Sequence, residues 1–371
     1  MQCGYFDAGV CRSCTHMGVP YAEQVAHKQA EVAAALGAVA AWHGPTTGPE
    51  SGFRNKAKLV VGGRRGEPTL GILDGERRGV DLTGCGLYEP GLADMVHRLP
   101  ALVADLQLTP YDVTSRNGEL KHLLVTHSPD GEAMLRFVLR SPGQLPRLDL
   151  EAVRRHVPQA RVVTVNLQPE HKAVLEGDRE EILSPEETLP MRVNDVTLHL
   201  RPQSFFQTNT TIAAALYARA RTWIRDLQPD TVLDLYCGVG GFGLHALGHG
   251  ARHVIGVEVS GEAIRSAELS ATGLAAGLTS EWVSGDATRQ LVDASADLVV
   301  VNPPRRGIGA DLCSRLQEAG PEHVIYSSCN VTTLAKDLAA MPSYAVLEAG
   351  LFDMFPQTDH HEVMVLLGRR T

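Results

Sequence analysis

The chain has 371 residues, of which 44% are hydrophobic and 21% charged, with a formal net charge of −9. That length is enough for two domains with substantial cores. It holds no apolar run of the roughly 18 residues a membrane-spanning helix needs, and its start, MQCGYFDAGVCRSC, lacks the basic and apolar stretches of a secretory leader. A cytoplasmic monomer with no membrane association is expected. The acidic balance argues against nucleic-acid binding by the surface as a whole. Residues 51–66 nevertheless carry five basic residues and no acidic one, and a binding face needs only such a local excess.

Residues 1–90 combine four cysteines, a helical segment over about 22–39 and the basic stretch. If that stretch is extended, Arg54, Lys56 and Lys58 share one face while Phe53, Ala57 and Leu59 share the other. This gives a basic strip suited to phosphate contacts, or simply a solvated charged strand. Residues 91–200 predict a helix and then short strands at 121–127, 133–140 and 161–168, separated by polar and Gly/Pro turns. Together these stretches predict a β-rich, α+β substrate-recruiting module. From 201 to 371 the pattern becomes apolar strand, turn and helix, repeated. The runs at 231–236, 253–258, 297–304, 323–329 and 361–367 suit strands buried on both faces of a largely parallel, doubly wound α/β sheet.

The first strand of that second part opens into Asp234-Leu-Tyr-Cys-Gly-Val-Gly-Gly-Phe-Gly. Its glycines, among them Gly238 and Gly240, let backbone approach a ligand. Glu258 ends the next strand, 20 residues after Gly238, where a carboxylate hydrogen-bonds ribose hydroxyls. The spacing is not the G-x-G-x-x-G of dinucleotide sites, which hold a pyrophosphate at a helix start. The loop is similar instead to the first motif of class I methyltransferases, whose donor, S-adenosylmethionine, has no phosphate. In those enzymes Asp286 falls where an acidic or polar residue lies near the adenine. A nicotinamide dehydrogenase is the competing reading.

Two further motifs lie at strand ends. In Asn302-Pro303-Pro304-Arg305 the prolines stiffen the loop, leaving the Asn302 side chain to hold a planar polar group. Arg305 and Arg306 stand where amino-directed methyltransferases carry an aromatic, and offer charge to RNA. Ser327-Ser328-Cys329-Asn330 puts Cys329 at the carboxyl edge of the sheet, where open α/β folds bind ligands. A thiolate there can attack C6 of a uracil and make C5 nucleophilic enough to take a methyl group. A base must then remove the C5 proton, and Glu362, His360 and His361 are the candidates. Cys237 and Cys313 suit packing. Cys3, Cys11, Cys14 and Cys85 suit Zn²⁺ or an iron–sulfur cluster, or are unrelated free thiols.

With the segments 201–209, 234–243, 301–307, 326–330 and 361–363 in view, the chain resembles the RNA uracil-C5 methyltransferase family over essentially its whole length, and its ribosomal-RNA branch, which acts on 23S rRNA, above all. The resemblance implies a C-terminal class I (Rossmann-like) methyltransferase domain at 201–371. Ahead of it come an iron–sulfur segment at 1–90 and, packed with that, an RNA-recognition domain at 91–200. It implies that Gln207, Tyr236, Glu258 and Asn302 contact S-adenosylmethionine, that Cys329 is the nucleophile and that Glu362 is the proton acceptor. It also implies a [4Fe-4S] cluster on Cys3, Cys11, Cys14 and Cys85, and RNA contacts from Arg54, Lys56, Lys58 and Arg305. The alternatives are a tRNA or other rRNA uracil methyltransferase, an amine-directed nucleic-acid methyltransferase, and a non-enzymatic iron–sulfur RNA-binding protein.

Overall fold

The apolar runs at 232–235, 298–301 and 324–326 are buried along their whole length, as strands covered on both faces must be. In the computed structural model, which describes residues 1–293 and 296–370, they form the centre of an eight-stranded sheet. Its order is Ala41–Trp42, Tyr344–Phe352, Glu362–Arg369, His323–Ser328, Leu298–Val301, Thr231–Leu235, His253–Glu258 and Thr279–Ser284. The last five strands are parallel. Glu362–Arg369 runs antiparallel between His323–Ser328 and Tyr344–Phe352. The chain leaves Thr231–Leu235 toward His253–Glu258 on one side and later returns to Leu298–Val301 on the other. Such a switch point opens a crevice at the carboxyl ends of the strands.

A second sheet has seven strands in the order Gly79–Asp81, Glu67–Leu73, Lys56–Arg64, Leu120–His127, Ala133–Leu139, Ala160–Leu167 and Arg179–Ile182. Helices Pro90–Asp105 and Leu150–His156 cover one face, and Leu59, Leu99, Leu123 and Phe137 lie in the core between them. Alternation along Lys56–Arg64 follows the expected pleat. Ala57, Leu59 and Val61 are buried; Lys56 and Val60 are half-buried and Lys58 is exposed.

The chain divides into two compact units: Met1–Met17 with Glu50–Met191, and Gly18–Pro49 with Arg192–Thr371. This differs from the expected boundaries, which kept residues 1–90 together. Helix Tyr21–Leu36 and strand Ala41–Trp42 belong to the second unit. The helix buries the stripe Gln24, Lys28 and Val32, spaced by four. The strand pairs parallel with Glu348 and Ala349. Among the described residues no helix is long and apolar enough to cross a membrane.

Candidate active site

Strand register places the two residues on which the predicted chemistry depends. Ser327 pairs with Met364 and Ser328 with Val363, so the next position sets Cys329 opposite Glu362. Cys329 is half-buried just past its strand, whereas Glu362 is 2% exposed. Ser327 Oγ donates a 2.9 Å hydrogen bond to Glu362 Oε1. Burial pushes the Glu362 carboxyl up to about 7, and the Ser327 hydrogen bond acts against that rise. The Cys329 thiol is pushed up by burial first and then by the Glu362 charge, while the Arg305 guanidinium lowers it by charge and hydrogen bond. A carboxyl poised near neutrality beside a thiol with a cationic neighbour can divide nucleophile and base work between two groups.

The loop that carries Arg305 is fixed from below. Asp337 is buried and accepts from the Ile308 N–H at 2.9 Å and the Tyr326 hydroxyl at 2.7 Å. Gly307 has φ +80°, and a Cβ there would lie 2.3 Å from Asp337 Oδ2. Asn330 Nδ2 and Thr333 Oγ1 both donate to the Arg305 carbonyl, at 3.3 and 3.1 Å. Arg305 and Arg306 are exposed, and Asn302 is half-buried. Neither Ser327 nor Asp337 was singled out as a functional residue from the sequence. Ser327 sat inside a quoted motif, but only the register shows which side chain it meets.

The predicted cofactor residues other than Gln207 lie at or just past the ends of neighbouring strands. Tyr236 has φ +61°, a left-handed conformation that costs a non-glycine residue energy. Gly238 and Gly240 follow with φ +53° and +84°. Asp234 is fully buried, accepts from the Gly243 N–H at 2.8 Å and keeps Oδ1 without a partner. Burial raises its carboxyl to about 7. Glu258 accepts from the Gly238 N–H at 3.3 Å and the Ser260 N–H at 3.0 Å, which ties the loop to the neighbouring strand. Trp282 closes the loop from behind, so a Cβ on Gly256 would stand 2.2 Å from its ring. Asp286 Oδ1 accepts from Thr288 and Arg289 N–H groups and so starts the next helix. Gln207 is buried, and Phe205, two residues before it, is 69% exposed. Cys237 and Cys313 are buried.

In the first unit Cys3, Cys11, Cys14 and Cys85 are half-buried thiols. Among the described residues no three His, Cys, Asp or Glu side chains are placed to hold a metal ion, so the metal centre expected at these cysteines is not displayed. The four thiols are nevertheless within electrostatic reach of one another. Burial and then Cys85, Cys11 and Cys3 push the Cys14 thiol up to about 11, and burial is also the main cause of the raised Cys85. The Tyr5 hydroxyl, which accepts from the Gly84 N–H at 3.1 Å, draws the segments together. Arg54 lowers both Cys14 and Cys85. It is therefore drawn toward the cysteines, while Lys58 stands in solvent and Lys56 is depressed to about 8 by burial and by Lys58 and Arg136.

Comparison with known proteins places the chain in a family. A family model described as tRNA (Uracil-5-)-methyltransferase matches residues 287–370, and one described as Methyltransferase small domain matches 198–323. The chain is 46% identical over 379 residues to a Shewanella loihica protein named 23S rRNA (uracil(747)-C(5))-methyltransferase RlmC, covering 100% of this chain and 99% of that protein. It is 44% identical to the protein of the same name from Halothiobacillus neapolitanus, covering 100% of each. In fold it is similar to the crystal structure of Pyrococcus abyssi tRNA (uracil-54, C5)-methyltransferase in complex with S-adenosyl-L-homocysteine. The TM-score is 0.80 at 24% identity, over 95% of this chain and 85% of that one.

Proposed function

Because this chain belongs to the RNA uracil-C5 methyltransferase family and is an S-adenosylmethionine-dependent enzyme of that class, we propose that it methylates C5 of a uridine in 23S rRNA through a covalent bond from Cys329 to C6. The observation that carries the mechanism is the Ser328–Val363 register, which extended by one position sets Cys329 opposite the buried Glu362. Arg305 favours the thiolate form of Cys329, which attacks C6 and moves the ring's π electrons toward C5 and O4. S-adenosylmethionine supplies the methyl group that C5 then takes. Glu362, held by Ser327, accepts the C5 proton. The electron pair of that C–H bond restores the C5–C6 double bond and expels the Cys329 thiolate. Two histidines were rival bases. His361 Nδ1 is engaged with the Asp359 carbonyl at 3.0 Å, and burial lowers its pKa. His360 is exposed.

The names of the full-length relatives support 23S rRNA as the substrate. Gln207, Tyr236, Gly238, Gly240, Glu258, Asp286 and Asn302 would hold the methyl donor around the switch-point crevice. The proposal includes a [4Fe-4S] cluster on Cys3, Cys11, Cys14 and Cys85. Four thiols brought within electrostatic reach of one another from the N-terminal segment and from Cys85 suit it. Each thiol of such a cluster binds a different iron, so its ligands stand farther apart than those around one ion. Iron and acid-labile sulfide in anaerobically purified protein, lost in Cys85→Ser, test that part.

The mechanism is tested with 5-fluorouracil-substituted 23S rRNA, whose C5 carries no removable proton. Enzyme supplied with S-adenosylmethionine should form an RNA–protein adduct stable to denaturing electrophoresis, and Cys329→Ala should form none. An intact enzyme that methylates normal RNA yet gives no adduct overturns the covalent route. Mapping 5-methyluridine in 23S rRNA from cells with and without the gene tests the substrate.

A further inference from the structure

In a regular strand neighbouring side chains point to opposite faces, yet Lys121 and His122 both line one cavity of the first unit. The strand Leu120–His127 achieves this with a bulge. Leu120 pairs with Leu139 and His122 with Val138, which leaves Lys121 as an extra residue. Bulges re-aim side chains in this way and are over-represented next to functional sites. The cavity is about 510 Å³, within the range of small-ligand pockets.

Its walls are mainly apolar, with Val60, Leu73 and Leu175 among them, and Tyr111 adds an aromatic face. Lys121 Nζ lies 4.9 Å over the Tyr111 ring and is held by the Gln168 side chain and the Glu170 carbonyl. His122 has an Nδ1 buried without a hydrogen-bond partner, an atom that a folded protein normally satisfies. Burial and Lys121 lower His122 to about 4, so the ring is neutral near pH 7 and offers one donor and one acceptor. Arg77 and Lys172 are exposed at the rim, the latter paired with Glu170 at 2.9 Å. Val60 lies directly opposite His122 on the strand that carries Lys56 and Lys58, with its side chain on the same face as theirs.

A flat heterocycle with a polar edge fits this lining, and the cations outside it fit phosphate. We propose that the cavity takes an unstacked base of the RNA substrate, other than the methylated uracil, with the adjoining phosphates on Arg77, Lys172 and Lys58. This deepens the RNA-methyltransferase reading and rests on it.

The test uses the full-length enzyme and a 23S rRNA fragment carrying single 4-thiouridines outside the target position. Ultraviolet cross-links should map by mass spectrometry to Tyr111, His122 or His171. The cavity-filling Val60→Trp and the polar-edge variant His122→Leu should each raise the KM for RNA about tenfold, the weight of one stacked base, with kcat changed less than about twofold. Cross-links that fall only elsewhere, or folded variants whose KM moves less than about twofold, overturn the proposal, and with it an RNA rather than a protein or free-nucleotide occupant. Methylation of the same fragment is read in parallel. Its absence in the wild-type enzyme refutes the assigned substrate, whereas intact methylation without a cavity cross-link refutes only the cavity. If Val60→Trp does not fold, the wild-type cross-link map still decides.

Discussion

Lys28 should be among the least replaceable residues of the second unit, although a lysine in a helix normally reads as a solvated one. Its side chain and that of Asp353 are both 0% exposed and meet at 2.6 Å. Lys28 Nζ also donates to the carbonyls of Phe355 and His360, each at 3.1 Å. Asp353 Oδ2 accepts from the Tyr21 hydroxyl at 2.7 Å. Lys28→Met keeps most of the stem volume but leaves a buried carboxylate with a single neutral donor and two carbonyls without their cation. Breaking one side of such a pair costs about 3–5 kcal/mol. The double variant Lys28→Met/Asp353→Leu removes both charges and should recover most of that loss. Denaturant unfolding followed by tryptophan fluorescence reads this cleanly, because Trp42, Trp223 and Trp282 all lie in the second unit. The clamped loop runs directly into Glu362, so kcat should also fall at temperatures where the single variant is folded. A loss below about 1 kcal/mol, the range of an exposed pair, refutes the reasoning.

Further outcomes follow from the site. Glu362→Gln should still form the Cys329 bond and take the methyl group but fail to release it, so adduct accumulates on unmodified RNA; turnover near the wild-type rate would remove Glu362 as the base. The base must be ionised, so kcat should rise with pH through about 7. Ser327→Ala removes the hydrogen bond that holds that value down, and the acid limb should move to higher pH; a shift to lower pH contradicts the assignment. Arg305→Gln removes the cation that favours the Cys329 thiolate, so adduct formation with 5-fluorouracil RNA should need higher pH than in the wild type. Gly307→Ala drives a Cβ toward Asp337 in a left-handed backbone. It should cost about 1–3 kcal/mol and slow adduct formation, measured by thermal melting and gel assay.

Much of the second unit was legible because fully buried strands leave unbroken apolar runs. The run at 297–304 contains the fully buried strand Leu298–Val301. The edge was not legible. Tyr344–Phe352 is half-buried over several residues and carries no such run, and Ala41–Trp42 is too short to show a period. The helix at 21–36 was anticipated but not its partner, since its buried stripe is Gln24, Lys28 and Val32, two of them polar. Periodicity marks a face of a helix, not what that face meets. At the site, Cys329 and Glu362 stood out as chemistry at strand ends, while their pairing depended on a register that joins residues more than thirty positions apart. The bulge at Lys121 has no composition signal, because it is a property of two strands and not of one.

The division of the chain also sets an order of assembly. The two units interleave along the chain, and all residues of the first have been made once synthesis reaches Met191, whereas most of the second follows it. Lys28 must wait for Asp353, 325 residues later. At about 5–20 residues per second that wait is roughly a quarter of a minute to a minute. During it, the Lys28 ammonium group has no buried carboxylate to pair with. The module bearing the cysteines and the basic strand can therefore be folded on the nascent chain before the catalytic sheet exists. Glu362–Arg369 enters between two strands already made, so Glu362 reaches its place beside Cys329 only after both neighbouring strands exist.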